Sequence, residues 1–181
     1  MGRPAEPKPA KYFVGLLSSD IKLLDSVETD LQAALGVIEG RSEVLAWNVS
    51  KFYEKEMGCG LLRRFVSFGP LISPGDLAMV KLQTQLIEEQ HRSRDLGASG
   101  RRVNVDPGYL DVAKVVLAST KSAGHRIYLN SGIYGEITLV YADGTFHPLA
   151  HTYPDYRWAE TLAFLTSLRL AYLEQLRQAR R

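Results

Sequence analysis

Apolar residues along the chain recur with two spacings, one typical of strands and one typical of helices. The mostly apolar run KYFVGLL predicts a buried strand, and the apolar residues between Ile21 and Leu35 recur at helical spacing. SEVLAWNV and LRRFVSF predict a second and a third strand. The segment SPGDLAMVKLQTQLIEEQHRSR opens with Ser73 and Pro74, which suit a helix start. The N-terminal half is therefore expected to alternate between strands and helices.

The C-terminal half is expected to be richer in strands. RRVNVDPGYL predicts a fourth strand that ends in a turn at Pro107 and Gly108. DVAKVVLAST predicts a short helix, and HRIYLNSGIYGEITLVY predicts a hairpin with its turn at NSG. ADGT predicts a further turn, after which FHPL pairs back, and the residues from Trp158 to Arg177 predict a final helix across the sheet.

The order of these predicted elements indicates an α+β fold. Strand, helix, strand, strand, helix and strand follow one another as in a split βαβ, ferredoxin-like βαββαβ unit. A hairpin and a C-terminal helix are added to that unit. We therefore expect a single α+β domain over residues 11–181, with a mainly antiparallel sheet. Residues 1–10 contain three prolines and are expected to form a flexible lead.

The composition is that of an ordinary soluble domain. The 181 residues are 45% hydrophobic and carry a formal charge of +2, so the chain as a whole would not attract nucleic acid or an anionic membrane. The N-terminus lacks the apolar run of a signal peptide, and no apolar stretch approaches the length of a membrane span. The single cysteine, Cys59, cannot form an internal disulfide. We expect a soluble cytoplasmic protein.

The sequence contains none of the standard motifs for phosphate loops, dinucleotide binding, zinc or nucleophilic serine. His147 and His151 are four residues apart, but Pro148 between them argues against the helix that a metal pair at this spacing needs. Chemistry must therefore be sought in scattered polar residues rather than in a motif.

Strand alternation brings one set of polar side chains onto a common sheet face. Alternate residues of RRVNVD share a face, and in IYGEITLVY alternation places Ile137 and Leu139 on the core face and Glu136 and Thr138 on the other. A carboxylate pair on such a polar face could hold Mg²⁺. A solvated face of an antiparallel sheet has the same pattern, so that alternative stays open. The set consists of Arg102, Asn104, Asp106, Tyr128, Tyr134, Glu136 and Thr138.

A second set is cationic and suits a phosphate. Lysine and arginine supply charge, and neighbouring hydroxyls supply hydrogen-bond donors. The lysines could equally be solvated helix residues. The set consists of Lys81, Lys114, Ser119, Thr120, Lys121, His125 and Arg126.

A third set, HTYPDYRW, places two tyrosines and Arg157 around Pro154, which fixes a rigid turn. Aromatic rings beside an arginine can stack on a base. They can also lock the final helix onto the sheet.

Five blocks of the sequence carry a resemblance to a known family: PAKYFVGLLSSD, FYEKEMGCGLLRRFVSF, RRVNVDPGYLDVAKVVLASTK, HRIYLNSGIYGEITLVY and TYPDYR. They resemble the bacterial domain-of-unknown-function family numbered 4416, over nearly the whole chain from Pro9 to the last helix. Some members of that family are labelled GTP-binding proteins, so the resemblance implies GTP as a candidate ligand. It assigns no catalytic residue. Because the blocks coincide with the polar sets, the resemblance favours a shared ligand site.

These observations lead to a first hypothesis, binding of a phosphorylated small molecule, most simply a nucleotide. Phosphate would be held by Arg102, Lys121, His125 and Arg126, and Mg²⁺ by Asp106 and Glu136. Asn104, Tyr128 and Thr138 would complete the ligand-binding face. If the protein is an enzyme, Mg²⁺-assisted phosphoryl or nucleotidyl transfer suits these residue types, with Asp106 and Glu136 at the catalytic centre and His125 as acid or base.

Two alternatives remain. The chain could bind RNA through four arginines and three tyrosines, although its near-neutral charge argues against this. It could instead be a non-enzymatic interaction domain whose last helix docks a partner through Leu162, Leu165 and Leu173. The RNA-binding set consists of Arg63, Arg64, Arg101, Arg102, Tyr128, Tyr134 and Tyr156.

Overall fold

The computed structural model describes residues 2–50, 52–93 and 100–179. The strands are β1 Ala10–Ser18, β2 Ile38–Arg41, β3 Leu45–Ala46, β4 Leu62–Ile72, β5 Asn104–Leu110, β6 Lys114–Ser119, β7 Ile127–Asn130, β8 Ile133–Ala142 and β9 Thr145–Pro148. The helices are α1 Ile21–Leu35, α2 Glu54–Met57, α3 Leu77–Gln90 and α4 Ala159–Gln178. None of the helices in the described ranges is long and apolar enough to cross a membrane.

The strands form one antiparallel sheet in the order β2-β4-β1-β5-β6-β8-β7. The four strands β2, β4, β1 and β5, with α1 and α3, have the order and directions of a ferredoxin-like unit. Strands β6, β8 and β7 extend the sheet beyond β5, and β9 pairs with β8. The predicted α+β class, the mainly antiparallel sheet and the C-terminal helix are confirmed.

Helices cover both faces of the sheet. Helices α1 and α3 pack on the face that contains Val14 and Leu16, and α4 packs on the opposite face through Leu165 and Tyr172. The Asp20 side chain caps α1 by accepting hydrogen bonds from the first backbone N–H groups. Because β1 lies between two covered faces, its sequence is apolar at nearly every position.

Two of the predicted elements are wrong. The segment predicted as a short helix is strand β6, whose residues alternate between the two cores: Val116 and Ala118 face α1 and α3, whereas Val115 and Leu117 face α4. A run that is apolar on both faces does not distinguish a buried strand from a buried helix. The second predicted strand, SEVLAWNV, overlaps only the two-residue β3, and the strand that completes the ferredoxin-like unit is β2.

The predicted turn at Pro107 and Gly108 is also wrong, since β5 continues through both residues to Leu110. Gly108 is required by a close approach to β6: a Cβ there would lie 2.7 Å from the Val116 carbonyl oxygen. Pro107 lies where β5 and β6 are no longer paired. Because proline has no backbone N–H, the strand separation leaves no unpaired donor at this position.

The face assigned to β8 from alternation is wrong as well. Glu136 and Thr138 are 2% and 0% exposed, whereas Ile137, expected in the core, is 41% exposed. The pairing with β6 shifts register between Val115, which pairs with Leu139, and Val116, which pairs with Ile137. This β-bulge inserts one residue and reverses the alternation on either side of it.

Candidate functional site

The sheet opens between β5 and β6. These strands pair only over Gly108–Leu110 and Val115–Leu117, although β5 stays paired with β1 back to Asn104 and β6 stays paired with β8 out to Ser119. The strands therefore diverge and leave a cavity of about 690 Å³, which we call the β5–β6 cleft. A cavity of this volume accommodates a small-molecule ligand.

Side chains of α3 replace the missing strand along the edge of β5. The backbone N–H of Val105 donates to Glu88 Oε1 at 2.6 Å, and Lys81 Nζ donates to the Val105 carbonyl oxygen at 2.9 Å. A buried backbone group without a partner destabilises a fold by about 1–3 kcal/mol. Since Glu88 and Lys81 satisfy these groups, the cleft is stable without pairing between the diverging strands.

Arg63 forms part of the floor of the cleft and is 3% exposed. Its guanidinium lies against the Cα of Gly15, where a Cβ would be 2.6 Å from Nη2. Nη2 lies 3.0 Å from Asp155 Oδ2, and the guanidinium carbon lies 4.7 Å from the centre of the Phe65 ring. Among the described residues, Arg63 Nε and Asp155 Oδ2 have no partner in hydrogen-bonding geometry. The pair is therefore held by charge and leaves a buried donor unsatisfied.

Asp106 lies beside this pair and keeps 32% of its side chain exposed. Lys81 Nζ is 3.3 Å from Asp106 Oδ1, and the Asn104 amide donates to Oδ2. Burial raises the pKa of Asp106, but Lys81, Arg63 and Arg101 outweigh burial, so the net pKa lies below the usual range. Asp106 is therefore an ionised acceptor in the cleft at neutral pH.

Arg101 links the floor to one wall. Its Nη2 is 3.5 Å from Glu88 Oε2 and also donates to the Asn104 side-chain oxygen. Burial raises the pKa of Glu88, and Lys81 and Arg101 only partly oppose it. The guanidinium carbon of Arg101 lies 5.8 Å from the centre of the Tyr53 ring.

Aromatic side chains form the wall beside Arg101. The Phe52 and Tyr53 rings meet edge to face at 5.2 Å between centroids, and the Trp47 ring lies 6.0 Å from Tyr53. Burial is the main reason why the pKa of the Tyr53 hydroxyl rises to about 12, so this hydroxyl remains neutral. Phe52 is 59% exposed and presents its ring to the cleft mouth.

Glu136 anchors the wall on the β6 side and is 2% exposed. It accepts from Arg126 Nε at 2.6 Å, and His125 Nε2 lies 3.0 Å from the same carboxylate oxygen. Arg126 also donates to the Lys121 carbonyl at 2.9 Å and to the Tyr153 hydroxyl at 2.7 Å. Arg126 thereby fixes the positions of the loop and the tyrosine that border the cleft.

Of the nine side chains assigned to the nucleotide site, the structure brings four together in the cleft lining, and Lys81, Ser119 and Thr120 of the wider cationic set line it too. Asn104, Asp106, Lys121 and Glu136 all line the cleft.

Three others lie behind Glu136. His125 and Arg126 bond to its carboxylate, and the Thr138 hydroxyl lies 3.5 Å from its Oε1.

Arg102 and Tyr128 lie outside the cleft lining. Arg102 Nη2 donates to Asp20 at 3.2 Å. Tyr128 lies on β7 against Tyr134, with 5.4 Å between ring centroids.

A Mg²⁺ site at Asp106 and Glu136 stays a prediction. Both carboxylates line the cleft, but Lys81 contacts the first and Arg126 the second. In the described parts of the chain, no three side chains of the His, Cys, Asp and Glu types gather as metal ligands.

Much of the cleft was not predicted as a ligand site. In LRRFVSF, Arg63 and Phe65 share a face by alternation, so an arginine on the core side was a usable signal. On α3, Lys81 was part of the predicted cationic set, but the contribution of Glu88 and of the segment around Trp47 depends on tertiary packing and had no signal in the pattern. The lining that no sequence prediction named includes Trp47, Phe52 and Glu88. Arg63 and Arg101 were predicted only as RNA contacts, and Tyr153 and Asp155 only as part of the segment HTYPDYRW.

Comparison with known proteins shows the family of the chain. No curated protein and no solved structure shows significant similarity to it. The family model described as domain of unknown function (DUF4416) matches residues 8–172, which include every strand of the sheet and most of α4. The chain therefore belongs to the DUF4416 family.

Proposed function

We propose that the β5–β6 cleft binds a phosphorylated small molecule that contains a ring, most simply a nucleotide, with GTP among the candidates. One observation carries the proposal: an opening in the sheet combines a fully buried arginine that has an unsatisfied donor with an aromatic wall and a cationic rim. Ligand sites are typically concave, largely apolar and equipped with a few convergent polar groups.

The charged floor supports ligand binding over a purely structural role. Placing Arg63, Asp155 and Asp106 inside a domain stabilises it less than well-packed apolar residues of similar volume would. Here the charges line an opening and leave one donor, Arg63 Nε, without a partner. Perturbed and partly unsatisfied charges of this kind concentrate at functional sites.

The aromatic wall supports a ring as one part of the ligand. Phe52 is 59% exposed beside Tyr53 and Trp47, and the Lys121 ammonium lies over its ring. Stacking of a base on an aromatic side chain contributes about 1–3 kcal/mol. The Asp106 carboxylate and the Asn104 amide provide hydrogen-bonding partners for polar groups on the ring.

The loop after β6 supports a phosphoryl group as the other part. Ser119, Thr120 and Lys121 follow one another at the rim, and the Lys121 backbone N–H donates to Ser119 Oγ at 3.1 Å. Two hydroxyls and an ammonium at adjacent positions suit the oxygens of a phosphate.

The substitution Phe52→Ala tests this proposal. We expect wild-type protein to be stabilised against heat by at least one compound in a panel of nucleotides and sugar phosphates. Loss of ring stacking in Phe52→Ala should weaken binding by about tenfold or more. The matched control is Tyr128→Ala, which removes an equally exposed aromatic ring outside the cleft and should bind like wild type.

Three outcomes would count against the proposal. The melting temperature would be unchanged across the whole panel, with and without Mg²⁺. The Phe52→Ala variant would bind as wild type does. The Tyr128→Ala variant would lose as much affinity as Phe52→Ala, which would place the ligand elsewhere.

Catalysis is not part of the proposal. His125, the predicted acid or base, lies behind Glu136 rather than in the described cleft lining. Metal-assisted transfer stays a prediction from sequence.

The RNA-binding alternative receives less support from the geometry. Arg63 is buried, Arg64 donates to Asp25 and Glu28, and Arg102 donates to Asp20. These pairings reduce the charge available to an RNA backbone.

The interaction alternative relied on an exposed apolar face of α4. Leu165 is buried, and Leu162 and Leu173 are half-buried, whereas Leu170 is 63% exposed. The face expected to dock a partner is thus largely the face that covers the sheet.

A further inference from the structure

We infer that the ligand of the β5–β6 cleft carries a single phosphoryl group, as a nucleoside monophosphate does, and that Lys121 holds this group at the rim. The inference rests on the proposed nucleotide-binding function and narrows the class of nucleotide. It follows from the balance of charges in the cleft and from the short distance between the cationic rim and the aromatic wall.

The charges of the floor compensate one another. Arg63 Nη2 lies 3.0 Å from Asp155 Oδ2, and Lys81 Nζ lies 3.3 Å from Asp106 Oδ1. Buried charges are tolerated when they are paired in this way. The floor therefore has little net charge to offer an anion.

The charges of the two walls are paired as well. Arg101 Nη2 lies 3.5 Å from Glu88 Oε2, and Arg126 Nε lies 2.6 Å from Glu136 Oε2. Together with the two floor pairs, these pairs include every carboxylate of the described lining. These carboxylates are Glu88, Asp106, Glu136 and Asp155.

Lys121 is the lining cation that remains after this pairing, within the described residues. It is exposed, its Nζ lies 5.2 Å from the centre of the Phe52 ring, and no carboxylate of residues 2–50, 52–93 or 100–179 lies within ion-pair distance of it. Lys51 precedes Phe52 in the sequence and lies outside the described residues. The described part of the cleft thus offers one uncompensated positive charge.

One such charge matches one phosphoryl group. A phosphate monoester carries about −1.5 to −2 charges at neutral pH. A second or third phosphoryl group would add negative charge that has no uncompensated cation in the described lining and that lies near Asp106 and Glu136. Like charges in a partly buried site disfavour binding.

The distance between the subsites agrees with a compact ligand. Lys121 Nζ lies over the Phe52 ring, 5.2 Å from its centre, so a base that contacts this ring and a phosphate held by Lys121 would be neighbours. A single sugar joins the base and the phosphate in a nucleoside monophosphate. The bonds from Arg126 to the Lys121 carbonyl and from the Lys121 N–H to Ser119 hold the rim loop in place.

Titration calorimetry in metal-free buffer tests the inference. The probes are guanosine, GMP, GDP and GTP, and the corresponding adenosine series. We expect the monophosphate to bind more tightly than the nucleoside, the diphosphate and the triphosphate of the same base. Lys121→Ala should weaken monophosphate binding by about tenfold to a hundredfold, the effect of one charge-assisted hydrogen bond, and should leave nucleoside binding unchanged.

The matched control is Lys22→Ala, which removes an exposed lysine on α1, a helix on the sheet face opposite Arg63, and should bind like wild type. Affinity that rises with the number of phosphates, or equal affinity for nucleoside and monophosphate, would overturn the inference and keep the proposed function. Equal weakening of nucleoside and monophosphate by Lys121→Ala would also overturn it. Absence of binding by every nucleoside and nucleotide would refute the proposed nucleotide function itself.

Discussion

The substitution Arg63→Met tests how the buried charge in the cleft floor is stabilised. Arg63 and Asp155 have side chains that are 3% and 2% exposed, 3.0 Å apart. Methionine preserves part of the packing against Phe65 but removes the cation, so Asp155 is left buried without this partner. Removal of one member of a buried pair destabilises proteins by about 3–5 kcal/mol. We expect the free energy of unfolding to fall by about this amount at neutral pH.

The loss of unfolding free energy in Arg63→Met should become smaller as the pH falls. Burial raises the pKa of Asp155, and Arg63 partly opposes that rise. Without Arg63 the folded-state pKa rises further above its unfolded value. The folded variant therefore takes up a proton that the unfolded chain does not, and the penalty is lost as pH falls through the folded pKa. The difference between variant and wild type should thus be smaller at about pH 5 than at about pH 7.5.

Urea unfolding monitored by tryptophan fluorescence measures both effects, with equal m-values as the condition for comparing free energies. The double substitution Arg63→Met with Asp155→Asn removes the unpaired charge and should recover part of the lost stability. Any of three results would refute the reasoning. The unfolding free energy of Arg63→Met would lie within about 1 kcal/mol of the wild-type value, its loss of stability would not change with pH, or the double variant would recover no stability.

Two further predictions concern β5. Gly108→Ala would bring a methyl group 2.7 Å from the Val116 carbonyl oxygen, so we expect a loss of about 1–3 kcal/mol in urea unfolding. The control is Gly124→Ala, where a Cβ meets nothing within 4 Å, and its unfolding free energy should stay within about 0.5 kcal/mol of the wild-type value. Equal losses of stability in the two variants would contradict the close approach at Gly108. Burial raises the pKa of Asp106 but Lys81 and two arginines lower it further, so Asp106 stabilises the fold above its unfolded pKa. This stability is lost as pH falls through the folded pKa. Asp106→Asn should therefore show a flatter decline of unfolding free energy below about pH 4, and an unchanged decline would contradict the assignment.

The ferredoxin-like order was predictable because it depends on spacings that the sequence carries directly. Helix α1 has one apolar stripe and a capping Asp20, and β1 is apolar throughout because both its faces are covered. These local signals agree with the global fold, and the element order then restricts the topology.

The candidate site was predicted only in part because it depends on register and on where strands separate. Asn104 and Asp106 were assigned to a common face correctly by alternation, and both line the cleft. For Glu136 the same rule gave the wrong environment, since the bulge in β8 turns Ile137 outward. The contribution of Glu88 could not be foreseen, because it lies on a helix and bonds to the backbone of a strand 17 residues away.

The capped edge of β5 also restricts what kind of molecule the opening can accept. A peptide that joins a sheet as an extra strand needs a row of free backbone donors and acceptors on the exposed edge. Here the N–H and carbonyl of Val105 are occupied by Glu88 and Lys81, and Pro107 provides no N–H. The opening therefore selects compact molecules recognised through side chains, and it protects a gap in the middle of the sheet from association with strands of other chains.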